Sequence, residues 1–234
     1  MLADAFEALQ KFDWGTDLAV LAPIDDAAIA PQDSAKTGQD LENRLIAALN
    51  GRLSRDAHDY VCRKLAIVGT AAAVPTLAGL LGNQATSHMA RFALERITAP
   101  EAAHALREAL ARVNGNLKIG VISSLGARRD AAAVAPLGGL LEDHNPAVAR
   151  AAALSLGTIG TAKSASLLQA ALQGRSGDKQ AIIDGLLACA ESLLHGDKPA
   201  DALAIYKSLS GEGQDRLVRL AATRGALACA AKRA

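Results

Sequence analysis

Residues 146–160 read Pro146-Ala-Val-Ala-Arg150-Ala-Ala-Ala-Leu-Ser-Leu156-Gly157-Thr-Ile159-Gly160. Asn145 precedes them as an N-cap, and Pro146 takes the first helical position, where its missing N–H costs little. Gly160 can adopt the left-handed conformation that ends a helix, and Thr161 supplies a hydroxyl at the start of the next one. One amphipathic helix is thereby delimited, and it recurs. Leu65, Leu94, Leu125 and Leu156 form a column at intervals of 29, 31 and 31 residues, with Val61, Ala90, Val121 and Ala152 one turn earlier on the same face. Leu77, Leu106, Leu137 and Leu168 repeat with the same intervals, and Leu81, Leu110, Leu141 and Leu172 follow them by one turn. Each unit is therefore a pair of helices of roughly 10–14 residues, and short turns make the pair antiparallel.

Punctuation elsewhere follows the same scheme. Gly69-Thr70 reads like Gly160-Thr161, Thr98-Ala-Pro-Glu101 reads as a capping box, and Asp130 and Asp197 stand where they can cap second helices. The spacing predicts an all-α solenoid, an array of stacked hairpins offering surface rather than a closed pocket. Composition agrees: 53 alanines and 34 leucines dominate 234 residues, and aromatics make up 3 %. A net charge of +1 gives no general pull towards nucleic acid, and no apolar run reaches membrane-spanning length. Residues 1–20 show no basic flank leading into an apolar stretch, so the cytoplasm is the default compartment unless an export signal has been trimmed from this chain.

The segment 146–160 resembles the first helix of a bacterial HEAT repeat of the phycobilisome-lyase-like type. Val74-Pro75-Thr-Leu77-Ala-Gly-Leu80-Leu81 and Val134-Ala-Pro136-Leu137-Gly-Gly-Leu140-Leu141 resemble its second helix. The resemblance spans about residues 57–173 as four units and implies second helices lining a concave face. Three segments follow from it: N-terminal helices and a linker over 1–56, the repeats over 57–174, and a tail over 175–234. In the first, residues 3–12 form a short helix, 22–40 a linker, and Leu41, Leu45 and Leu49 a stripe that covers the edge of the repeats. In the last, 178–195 and 199–209 form a hairpin similar to tetratricopeptide helices, and 215–232 a final helix.

Signatures of chemistry are sparse. Gly157-Thr-Ile-Gly160-Thr-Ala-Lys163-Ser164 has a superficial phosphate-loop spacing, but its lysine does not follow the second glycine and no strand precedes it. His58 and Cys62 are one turn apart, two ligands where zinc needs three or four. Cys62, Cys189 and Cys229 show no paired spacing, and no nucleophile elbow or assignable carboxylate pair appears. The expectation is a chain without catalytic residues, metal or cofactor, a scaffold that binds a protein or another domain of a longer parent chain. Nucleic acid and membrane insertion are not expected, and the oligomeric state stays open. The alternative implied by the resemblance is a cofactor-handling, bilin lyase-like protein.

Departures from the columns mark the candidate partner-binding residues. Arg91 replaces the small or apolar Cys62, Ile122 and Ala153, and Arg128 replaces Val68, Ile97 and Ile159, opening the run Arg128-Arg129-Asp130. Each arginine is read two ways: as a local helix-surface charge, with Arg91 paired to Glu95 at i+4, or as part of a basic edge presented to a partner. Trp14, the one tryptophan, either anchors the first helix onto the array or serves as an interface residue. With His88, these make the set Trp14, His88, Arg91, Arg128 and Arg129.

Overall fold

The computed structural model describes residues 1–30, 35–174 and 178–232. Among the described residues there are fourteen α-helices and no strand. The protein is an all-α solenoid. Its helices are α1 (Leu2–Leu9), α2 (Ala22–Ile29), α3 (Ala35–Leu49), α4 (Arg55–Val68), α5 (Val74–Gly79), α6 (Ser87–Arg96), α7 (Pro100–Arg112) and α8 (Gly115–Ala127). They continue with α9 (Val134–Gly138), α10 (Pro146–Ile159), α11 (Ala162–Gln173), α12 (Lys179–His195), α13 (Pro199–Leu209) and α14 (Arg216–Ala231). No helix among the described residues is long and apolar enough to cross a membrane. The chain falls into two compact units, Met1–Ser124 and Leu125–Ala234, divided within α8.

The leucine columns are the core. Every member of the four columns is buried except Leu172, which is half-buried. Caps explain where the helices begin. Ser54 accepts the Ala57 N–H at 3.0 Å, Asn145 accepts from Ala147 at 3.0 Å, and Thr161 accepts from Ser164 at 3.0 Å. Gly160 ends α10 with φ 67, and a Cβ there would collide with Ser192.

Several local expectations are corrected. Residues 22–40 are not a plain linker, since α2 occupies 22–29 and buries Ile24 and Ala28. Pro23 lies in the first turn of α2, where proline starts a helix as readily as it breaks one elsewhere. Pro31, read as part of the same linker, lies outside the described residues. Gly69 is extended, with φ −69 and ψ 139. Thr98 makes no cap, because the N-cap of α7 is Ala99. Asp197 precedes the cap position of α13, and its carboxylate instead takes Lys232 at 2.8 Å.

The second helices also differ in length. α7 and α11 are full helices, whereas α5 and α9 are short and each follows a 3-10 turn, at Ala71–Ala73 and Ala131–Ala133. Pro75 has no N–H to donate to Ala71 four residues back, so the Ala71 carbonyl accepts from Val74. Thr70 and Asp130 cap the two turns, each accepting from the second alanine at 3.2 Å.

Within the first unit, α3 packs on α4 and buries Leu41, Leu45 and Leu49, α4 packs on α6, and α5 packs on α7. Within the second unit, α10 and α11 pack on α12, which carries α13 and α14. The α10–α12 contact explains the glycines of the phosphate-loop-like stretch. A Cβ on Gly157 would sit 2.5 Å from the Gly185 carbonyl oxygen, and one on Gly185 would sit 2.6 Å from that of Ala153. These glycines let two helix backbones touch.

Candidate protein-interaction site

A cleft of about 520 Å³ opens in the first unit between the 12–18 loop, α4 and the start of α6. Its floor is aromatic. Phe12 is buried and meets Tyr60 with ring centroids 6.2 Å apart, tilted at 45°. Ser54 holds the loop in place by donating its hydroxyl to the Phe12 carbonyl at 2.6 Å, while its oxygen caps α4. Tyr60 is held from behind: its hydroxyl donates to Asp25 Oδ1 at 2.7 Å, and Lys64 Nζ reaches the same oxygen at 2.6 Å. Burial pushes the Asp25 carboxyl up, but hydrogen bonds from Lys64 and Tyr60 and the Lys64 charge outweigh it and hold the group below its ordinary value. The Tyr60 hydroxyl is raised by burial, and further by its bond to the Asp25 carboxylate.

Trp14 stands at the mouth. Asp13–Thr16 is a tight turn closed by the Thr16 N–H on the Asp13 carbonyl at 3.0 Å, with Gly15 at φ 83 as a type II turn requires. The Trp14 N–H donates to Asp13 Oδ1 at 2.9 Å, so the backbone is fixed while the indole is 91 % exposed. The anchoring role read from the sequence is thereby corrected: the indole packs on nothing that buries it. His88, at the start of α6, is exposed and lines the same cleft. Leu18, 60 % exposed, completes the apolar rim. The charged rim is internally balanced, with Arg63 on Asp59 at 2.7 Å and Arg55 near Asp56 at 3.7 Å. Arg63 also lies 5.2 Å from the Phe92 ring centroid, and Arg96 covers that ring at 3.6 Å.

Trp14 and His88 thus line one cleft, and Arg91, Arg128 and Arg129 are not among its lining residues. Arg91 turns inward to α8, donating from Nη1 to the Gly120 carbonyl at 3.1 Å and to the Ser124 hydroxyl at 3.3 Å. Ser124 in turn donates its hydroxyl hydrogen bond to Glu95 Oε1 at 2.7 Å, so Arg91 reaches Glu95 through a hydroxyl. Gly120 leaves the room: a Cβ there would lie 2.6 Å from the guanidinium carbon. Burial lowers the Arg91 pKa, against the pull of Glu95. Arg128 and Arg129 belong to the second unit, after α8. Arg129 is exposed and left-handed, with φ 52, at the centre of a turn in which Asp130 N–H returns to the Leu125 carbonyl at 3.1 Å.

Phe12, Tyr60 and Leu18 went unnoticed in the sequence. The available signal was compositional, since three of only six aromatics, Phe12, Trp14 and Tyr60, meet in this one cleft. The earlier ligand candidates are occupied locally. Cys62 is buried and its thiol pushed up to about 12 by burial and then by Asp59, and the His58 ring nitrogen Nδ1 sits 2.9 Å from the Ser54 carbonyl.

The family model described as HEAT repeats matches residues 112–187, and that described as the PBS lyase HEAT-like repeat matches residues 88–112. Over residues 88–187 the repeats of this chain are HEAT-like. The matched stretch starts later than the resemblance over 57–173 and runs into α12. No curated protein matches the sequence. Similar solved structures include an archaeal HEAT-like repeats protein from Thermococcus onnurineus NA1, at 15 % identity and TM-score 0.42, covering 100 % of this chain and 94 % of that one. Human deoxyhypusine hydroxylase aligns at 14 % identity and TM-score 0.37, covering 98 % of this chain and 96 % of its own. An engineered protein aligns at 18 % identity and TM-score 0.41, covering 97 % of both chains.

Proposed function

We propose that this chain is a non-catalytic scaffold of HEAT-like repeats that binds a protein, or another domain of a longer parent chain, through the cleft at Trp14. One observation carries the reading: the only tryptophan is 91 % exposed, on a hydrogen-bonded turn, over an aromatic floor. A solvated indole gains nothing for folding, whereas in an interface it is a favoured anchor. The state of the candidate nucleophiles supports the non-catalytic part. Burial pushes the Cys62 thiol up to about 12 and the Cys189 thiol up to about 11, and Ser124, in mid-helix, is fully buried.

Selection of a displayed peptide library on the full chain tests the proposal. Selected ligands should bind Trp14→Ala roughly tenfold or more weakly, the loss expected of an interface hot spot. Melting of the variant, followed by circular dichroism, should match the parent, because an exposed side chain leaves the core intact. Ligands indifferent to both Trp14→Ala and His88→Ala would remove the cleft from consideration. The bilin lyase-like alternative draws support from the PBS lyase HEAT-like match over residues 88–112. A purified chain that retains a linear tetrapyrrole, seen as visible absorbance migrating with the protein, decides for that alternative against the scaffold.

A further inference from the structure

α14 is amphipathic with two unlike faces. Val218, Ala222 and Cys229 are buried, and α14 packs there on α13 and α12. Gly225 on the same side lies against the Tyr206 ring. The opposite face carries Leu217, Leu220 and Leu227, exposed at 73 %, 65 % and 67 %. Their spacing of three and seven residues lines them up along one side of the helix. Arg224 falls between Leu217 and Leu220 on the helical wheel, Arg216 lies just outside Leu227, and Arg219 lies further round on that side. α14 contains no acidic residue, and among the described residues none of these three arginines has a carboxylate within salt-bridge distance. Arg224 shares a neighbouring groove with Glu191 but forms no ion pair with it. The face is therefore apolar and uniformly positive.

We propose that this face binds an acidic amphipathic helix, whose leucine-type side chains cover Leu217, Leu220 and Leu227 while its carboxylates meet Arg216, Arg219 and Arg224. Exposed leucines at helical spacing are the register of helix-against-helix recognition, and cations set among them select for an acidic partner. A second copy of α14 packed two-fold on the first would set arginine against arginine. A lipid surface is the poorer fit, because membrane-lying helices segregate their cations on the polar face and carry aromatics on the other. Here Arg224 stands inside the leucine stripe and the helix has no aromatic residue. This surface lies in the second unit and shares no lining residue with the cleft at Trp14, which lies in the first.

Fluorescence anisotropy with the full chain tests the proposal. The probe is a labelled helical peptide of glutamate, alanine and leucine, with leucines at i, i+3, i+7 and i+10. The control peptide has lysine for every glutamate. The glutamate peptide should bind, more weakly as salt rises, and the lysine peptide should not. Arg216→Glu with Arg224→Glu should weaken binding about tenfold or more, and Leu220→Ser with Leu227→Ser should do likewise. All four side chains are exposed, so an unchanged circular dichroism spectrum is expected for both variants. Trp14→Ala should leave this binding intact, which separates the result from the fate of the cleft. No binding, equal binding of both peptides, or indifference to charge reversal overturns the proposal. So does sedimentation with phosphatidylserine vesicles in the absence of peptide binding, which assigns the face to membranes. A self-association lost in Leu220→Ser assigns it to a second copy.

Discussion

Glycine serves opposite ends in the two units. On α8 in the first unit, Gly120 makes space for the flat guanidinium of Arg91, so one link from α6 to α8 runs through a long polar side chain and a hydroxyl. In the second unit Gly157 lies on Gly185, and backbone meets backbone with no side chain between. The same residue type gives a gap that is filled in one place and a gap that is closed in the other. The first arrangement depends on the conformation of a flexible chain, the second on steric fit. The first unit adds the Asp25–Lys64–Tyr60 cluster, and beside these long side chains it keeps the aromatic cleft.

Substitutions at the glycines can break that contrast. The largest effect is expected at Gly157. Gly157→Val must displace the Gly185 backbone, so a loss of about 3 kcal/mol or more is expected by urea denaturation, and Gly157→Ala should lose about 1–3 kcal/mol. A Gly157→Ala protein as stable as the parent would mean the two helices can separate cheaply. A smaller effect is expected at Asp25. Asn keeps an oxygen to accept from Tyr60 but removes the charge that Lys64 sees, so Asp25→Asn should lose under about 1 kcal/mol at neutral pH. Because the folded carboxyl lies below its ordinary value of 3.8, that contribution is complete above this value and disappears as pH falls through the folded one. Urea midpoints of variant and parent should therefore differ at pH 7 and converge in acid. A difference that persists unchanged in acid would show that the charge plays no part. The smallest effect belongs to Gly120→Ala. The atoms nearest the added methyl belong to the movable end of Arg91, and alanine favours the helix over glycine by nearly 1 kcal/mol, so the net change should stay within about 0.5 kcal/mol. A loss as large as that at Gly157 would erase the distinction between the two units.

What the sequence disclosed follows from what is periodic. The leucine columns and the caps at Asn145 and Thr161 were legible because each recurs at a fixed offset or is settled within four residues of itself. Helix α2 was hidden because Pro23 is read as a breaker until it is known to lie in a first turn. The direction of Arg91 was hidden too, since Glu95 is close in sequence whereas Gly120 and Ser124 are 29 and 33 residues away. The cleft lay furthest from view: residues 12–18, 55–63 and 88 contribute to it, and no local pattern joins them. Composition alone pointed there, through an aromatic residue that the repeat scheme did not require.

The exposure of Trp14 sets what light can report about this protein. Tryptophan emission follows the polarity around the indole, and here the one indole is solvated in the native fold. Urea would move it from one aqueous setting to another, so the wavelength of its emission maximum should stay nearly flat through an unfolding transition that circular dichroism records in full. Anything that covers the cleft would shift that emission towards the blue against a silent background. The chain thus carries an intrinsic optical probe that ignores folding and responds to occupancy.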